Sequence, residues 1–250
     1  MYAGLDRAER ISLRHAASRA SLRLTAGAAV VMFLLVGTPT KTTPAAADFT
    51  PVSAQGATAA LHRSTVQIMA FGCDLQRHDG TAVSVDGGVL LTNQHVVAGS
   101  RLVDVVPEGQ ATEVGGQPLV AEAGDVATVA QPGPPLPGLR LADRDPLPGS
   151  EVRVAGYPAA LAGQRDPGLT IQTTQVVDYV QGQVVDQPWP VMRLADAVRP
   201  GMSGGPVLDA SGKLAGIVFG DELPNGQALV IPASQLRRLL AAKAFVPVVC

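Results

Sequence analysis

The sequence predicts an all-β fold in two halves, closed by one C-terminal helix. Three observations predict it. Short Val-, Leu- and Thr-rich runs recur between turn residues, in a 250-residue chain holding 27 glycines and 20 prolines. The stretch Gln131-Pro-Gly-Pro-Pro-Leu-Pro-Gly138 can sustain neither helix nor central strand, and it divides those runs into two sets. Near the end, Leu236, Leu239 and Leu240 fall at helical spacing while Arg237, Arg238 and Lys243 lie elsewhere, which predicts an amphipathic helix over 233–244.

The elements follow in chain order. Arg7, Arg10, Arg14, Arg19 and Arg23 precede an uncharged apolar run of 14 residues, Leu24 to Gly37, and then the small residues Ala45-Ala46-Ala47. This is the pattern of an export signal over 1–47, because the run is short for a membrane span. The other reading is a retained N-terminal anchor, the only circumstance in which a membrane is a partner. Cleavage gives a secreted or periplasmic protein, and retention a single-pass protein facing the extracytoplasmic side. Residues 48–58 are small and polar and read as a flexible leader.

An N-terminal half over 59–130 carries strand-like segments at 64–71, 81–85, 88–92, 102–106 and 126–130, with Asp86-Gly87 as a hairpin turn. After the linker at 131–138, a second half over 139–250 carries segments at 151–155, 170–180, 191–194, 206–208, 214–219 and 228–231, then the helix and tail.

Composition excludes several functions. A net charge of −2 with 16% charged residues leaves no basic field for nucleic acid. An apolar content of 46% is too high for a disordered body. The four histidines are scattered and no Cys/His cluster has ligand spacing, so no metal is expected. No phosphate loop or dinucleotide fingerprint implies a cofactor, and none is expected. The two cysteines, Cys73 and Cys250, form an even count, which in an exported chain suggests a disulfide.

The residues that carry chemistry sit in three motifs. Gly201-Met202-Ser203-Gly204-Gly205-Pro206 surrounds a serine with residues that allow unusual backbone angles. A serine hydroxyl is a weak nucleophile that needs a base, and its reaction needs N–H groups aimed at the developing oxyanion. The N–H groups of Gly201 and Ser203 are the candidates. Leu91-Thr-Asn-Gln-His95-Val-Val97 supplies the base; His15 lies in the signal, His62 after the leader and His78 in a polar turn. Gly124-Asp125-Val-Ala-Thr-Val-Ala130 places a carboxylate at the head of a strand, where alone it reads as a strand cap and beside the other motifs as the group that orients His95.

The set resembles the trypsin-like serine proteases of the chymotrypsin fold, which share the order His95, Asp125, Ser203. The spacing is similar to the compact high-temperature-requirement type. The segment Thr92-Asn-Gln-His-Val-Val-Ala-Gly-Ser100 and the cysteine placement are similar to proteases of the mycobacterial acid-resistance type. The resemblance implies two six-stranded antiparallel β-barrels, a polypeptide substrate and acyl-enzyme hydrolysis. It also implies a pocket wall at Val218, Phe219 and Gly220, with a base near Asp196 to Val198. Asp196 is either a selector of basic side chains or a solvated loop acid, and Phe219 is either pocket wall or core. Met202 stands where aspartate or asparagine is common in these proteases, so no activation by pairing with a cut N-terminus is expected. The competing readings are an inactive binding or scaffold protein of the same fold and an esterase using the same triad.

Overall fold

The computed structural model describes residues 52–73, 76–160, 167–181, 187–222 and 226–249. The export signal or anchor, the first leader residues and Cys250 lie outside them. Among the described residues, no helix is long and apolar enough to cross a membrane.

The chain opens with helix α1 (Ala54–Ser64), whose N-terminus is capped by the Ser53 hydroxyl accepting from the Gly56 N–H at 3.0 Å. Residues 54–58 are therefore helical rather than an irregular leader. Ala57 and Leu61, four positions apart, bury one face of α1, and this supplies the packing that its small polar residues do not advertise.

The first half then runs β1 (Thr65–Gly72), β2 (Arg77–Val85), β3 (Val89–Thr92), the single turn α2 (Gln94–Val97), β4 (Ser100–Pro107), β5 (Glu113–Val114), β6 (Leu119–Ala121) and β7 (Ala127–Ala130). Asp86, Gly87 and Gly88 join β2 to β3, with the glycines at φ 99° and 74°, angles at which a side chain is strained. The second half runs β8 (Glu151–Gly156), β9 (Thr170–Val180), β10 (Val191–Leu194), β11 (Pro206–Leu208), β12 (Leu214–Glu222) and β13 (Gln227–Pro232). Helix α3 (Ala233–Ala242) follows, ended by Lys243 in the left-handed region, and then β14 (Phe245–Pro247).

The second half closes as a six-stranded antiparallel barrel in the order β10-β13-β12-β11-β8-β9. The first half is an eight-stranded antiparallel sheet in the order β14-β6-β7-β3-β2-β1-β4-β5. The expectation of two six-stranded barrels is therefore met only in the second half: the first half is a half-barrel sheet whose ends, β5 and β14, do not pair with each other. Thus the C-terminal tail crosses back to the first half, where Val248 donates to the Pro118 carbonyl at 3.1 Å and accepts from Gln117 Nε2 at 3.2 Å.

Three apolar clusters hold this arrangement. One fills the first half around Val66, Ile68, Leu90 and Val103, and takes in Val248 from the tail. One fills the barrel around Val154, Met192, Leu194 and Val230. The third lies between the halves, where Leu61, Leu91, Leu208, Leu214, Ile217 and Leu236 meet. Burying side chains from α1, both sheets and α3 in one cluster fixes the mutual placement of the halves, because close-packed interiors tolerate little displacement.

Candidate active site

His95 is the second residue of α2, directly after β3. Its side chain is 49% exposed, while that of Asp125 is 16% exposed. The Asp125 carboxylate meets the histidine twice. Oδ1 accepts from the His95 backbone N–H at 2.9 Å, and Oδ2 lies 2.6 Å from ring Nδ1. With Nδ1 donating to a carboxylate, Nε2 is left as the acceptor, and it has no hydrogen-bond partner among the described residues. The contact to the backbone N–H also serves α2, whose N-cap residue Asn93 makes no side-chain cap.

Ser203 lies in the turn between β10 and β11. The peptides around it are tied down one after another through their carbonyls. Pro200 O accepts from the Ala159 N–H at 2.8 Å, Gly201 O from the Thr81 hydroxyl at 2.8 Å, Met202 O from the Gly205 N–H at 2.9 Å and Ser203 O from the Thr81 N–H at 2.8 Å. In a trans peptide the carbonyl and the next N–H point to opposite sides. Fixing the Pro200 and Met202 carbonyls therefore turns the N–H groups of Gly201 and Ser203 the other way. Neither N–H, nor the Ser203 hydroxyl, has a hydrogen-bond partner among the described residues.

Two glycines make this turn possible. At Gly201, φ 89°, a Cβ would stand 2.6 Å from both Ala159 N and Tyr157 O. At Gly204, φ 83°, it would stand 1.9 Å from Thr81 O. No side chain fits at those separations. Met202 points the opposite way: it is 1% exposed and belongs to the barrel's apolar cluster beside Val198 and Val218. Its departure from the usual polar residue is thus absorbed by the core and leaves the turn intact.

Thr81 is the residue that sequence reasoning passed over. It sits on β2, fully buried, and besides its two bonds to the serine turn its hydroxyl accepts from the Tyr157 N–H at 2.9 Å and its carbonyl from the Thr92 hydroxyl at 2.8 Å. One side chain of the first half thereby holds the serine turn of the second. Its signal in the sequence is only the dipeptide Gly80-Thr81, where Gly80 gives up its side chain to let Val96 approach a virtual Cβ at 2.5 Å. Two further residues converge on Asp125. Asn93 Nδ2 donates to the Asp125 carbonyl at 2.9 Å, and Gln187 Oε1 accepts from the Asp125 N–H at 3.2 Å.

The pocket candidates are placed less evenly. The Val218 side chain is fully buried in the barrel core, so only its backbone faces the serine turn, through Gly204 N to Val218 O at 2.7 Å and Val218 N to Gly205 O at 2.8 Å. Phe219 packs against the cluster between the halves. Gly220 stands open, with nothing within 4 Å of a virtual Cβ. Asp196 is exposed and held by its backbone, its N–H on the Thr174 hydroxyl at 3.2 Å and its carbonyl on the Ala228 N–H at 3.0 Å.

A profile of the trypsin-like peptidase domain matches residues 79–217, more than half of the chain. This chain belongs to the trypsin-like peptidase family. It is 31% identical over 192 residues to serine protease Rv3671c of Mycobacterium tuberculosis, an alignment covering 73% of this chain and 47% of that one. It is 28% identical over 173 residues to the mitochondrial serine protease HTRA2 of Bos taurus, covering 64% and 35%. The chain thus spans about half the length or less of the curated relatives it matches. Among solved structures it is similar to the active form of the Rv3671c protease, with a TM-score of 0.64, 28% identity and coverage of 76% of this chain and 86% of that one. The HtrA-type protease AlgW with tripeptide shares the fold at a TM-score of 0.66 and 22% identity, covering 76% and 63%.

Proposed function

We propose that this trypsin-like peptidase is an exported serine endopeptidase with Ser203 as nucleophile, His95 as general base and Asp125 as the group that holds the imidazole. The observation that carries this reading is the serine turn, whose four pinned carbonyls leave the N–H groups of Gly201 and Ser203, two residues apart, without a partner among the described residues. Ser203 Oγ attacks the scissile carbonyl carbon as His95 Nε2 takes the hydroxyl proton. The carbonyl oxygen becomes negative and is held by the two N–H groups, which no bond among the described residues engages. Collapse breaks the C–N bond, the imidazolium protonates the leaving amine, and water then cleaves the acyl-enzyme by the same proton route. Asp125 keeps the Nδ1 proton in place and stabilises the imidazolium. Beyond its pairing with β11, the Phe219–Glu222 end of β12 offers a sheet edge along which an extended substrate can lie, with Gly220 leaving room for its backbone.

Export rests on the N-terminal pattern over 1–47, followed by a leader and two halves divided at 131–138. A Cys73–Cys250 disulfide rests on the return of the tail to the first half, where Val248 packs in the cluster that holds Ala70 and Val97. It would close a loop over nearly the whole domain.

The test is digestion of a diverse peptide mixture by the unaltered chain, Ser203→Ala and His95→Ala, read by mass spectrometry. Cleavage by the unaltered chain alone supports the reading. A folded chain that cleaves nothing at any pH supports the scaffold alternative, and cleavage that survives in Ser203→Ala removes the assigned nucleophile.

A further inference from the structure

Asp125 must place one carboxylate on two targets, the His95 N–H and ring Nδ1. Its side chain has only two torsions, so the aim is set by where the backbone stands. Yet the sheet does not fix that backbone. Residues 122–125 form a bend between β6 and β7, and the ladder resumes only with Val126 O accepting from the Ala121 N–H at 2.9 Å and with Ala127. Gly124 in this bend has φ 79°.

What holds Asp125 is a pair of side-chain amides. Asn93, next to α2, takes its carbonyl, and Gln187 takes its N–H. Asn93 belongs to the same half as the histidine, whereas Gln187 comes from the segment between β9 and β10 of the barrel. Two residues on, the Trp189 ring covers the bend so closely that a Cβ on Gly124 would lie 2.9 Å from ring Cζ3. An N–H can be met only by the oxygen of the Gln187 amide, so the orientation of that amide is determined.

We infer that Gln187 is a positioning residue for the reaction, which sets the aim of the Asp125 carboxylate on His95 from the opposite half of the molecule, with Trp189 holding the bend against it. The inference rests on the protease reading above. Gln187 makes no hydrogen bond to the His95 ring; it acts through Asp125. Loss of its acceptor lets the bend relax and swings the carboxylate off one of its two targets, and small misplacements of catalytic groups cost rate rather than binding.

The test compares Gln187→Met, which has a similar shape and no acceptor oxygen, with Gln187→Glu, which keeps one. Gln187→Met is expected to lower kcat about 10-fold with KM little changed, and to shift or broaden the far-downfield proton resonance of His95 Nδ1–H. Gln187→Glu is expected to recover most of kcat and the resonance. Unchanged kcat and an unchanged resonance in a folded Gln187→Met variant overturn the inference, as does a Gln187→Glu variant no better than Gln187→Met. If Gln187→Met does not fold, hydrogen exchange of the Asp125 amide in the unaltered chain decides: protection supports the bond to Gln187, and the rate of a free surface amide overturns it. If instead the unaltered chain cleaves no peptide, the protease reading has failed, an outcome separate from these.

Discussion

Replacing Thr81 by valine keeps the shape of a fully buried side chain and removes one oxygen. That oxygen donates to Gly201 O at 2.8 Å and accepts from Tyr157 N–H at 2.9 Å. Both partners are themselves buried, so neither gains water in exchange. A buried polar group left unpaired costs about 1–3 kcal/mol, so the pair sets a range of about 2–6 kcal/mol. Relaxation of the turn recovers a part, and about 3 kcal/mol is the working figure. For a domain of this size that lowers Tm by roughly 6–12 °C. The same substitution frees the Gly201–Met202 peptide, which lies between the two proposed oxyanion donors. One such donor is worth about 10²–10³ in kcat. Partial loss of the correct turn therefore lowers kcat by about 10–100-fold. The assay pairs a thermal melt with steady-state hydrolysis of any cleaved peptide. Thr81→Ser, which keeps the hydroxyl, should restore most of kcat. A Thr81→Val protein with Tm within about 2 °C and kcat within about twofold of the unaltered chain would refute the claim that this hydroxyl organises the turn.

Further outcomes follow from the same geometry. Gly204→Ala puts a Cβ 1.9 Å from Thr81 O at a positive φ, so it should abolish activity and yield little folded protein in a solubility and melting assay. Met202→Ala empties a site in the barrel core and should lower stability by about 2–4 kcal/mol in denaturant titration; an unchanged midpoint would contradict the buried placement. Asp125→Asn should leave the fold intact by circular dichroism and lower kcat by on the order of 10⁴, since the histidine is then held in the wrong tautomer. If Cys73 and Cys250 are joined, reduction should lower the melting temperature by an amount equivalent to about 2–4 kcal/mol, and Cys73→Ser should be insensitive to reductant.

Much of this molecule is legible in its sequence because its signals are local. The Val- and Thr-rich runs of β1, β2, β9 and β12 and the Asp86-Gly87 turn announce themselves within a few residues, and the leucines of α3 mark a buried face. Likewise His95 and Ser203 stand in recognisable motifs, whereas Asp125 alone reads as a strand cap and takes its role only beside them. The remainder depends on partners distant in sequence. β5, β6 and β14 are two or three residues long, too short for any period, and exist because neighbouring strands accept them. Helix α1 hides in a small polar segment because only Ala57, Leu61 and Ser64 are buried. The roles of Thr81 and Gln187 are set by residues 120 and 62 positions away; Thr81 is marked locally only by the preceding Gly80, and Gln187 only by its chemical type.

Incubation of the purified chain with a fluorophosphonate probe, followed by peptide mapping, addresses the catalytic assignment with the fewest assumptions, because it requires no knowledge of the substrate. The account predicts a single adduct on Ser203 that is lost in His95→Ala and slowed in Thr81→Val. A folded, unaltered chain that acquires no adduct, or acquires it at a residue other than Ser203, contradicts it.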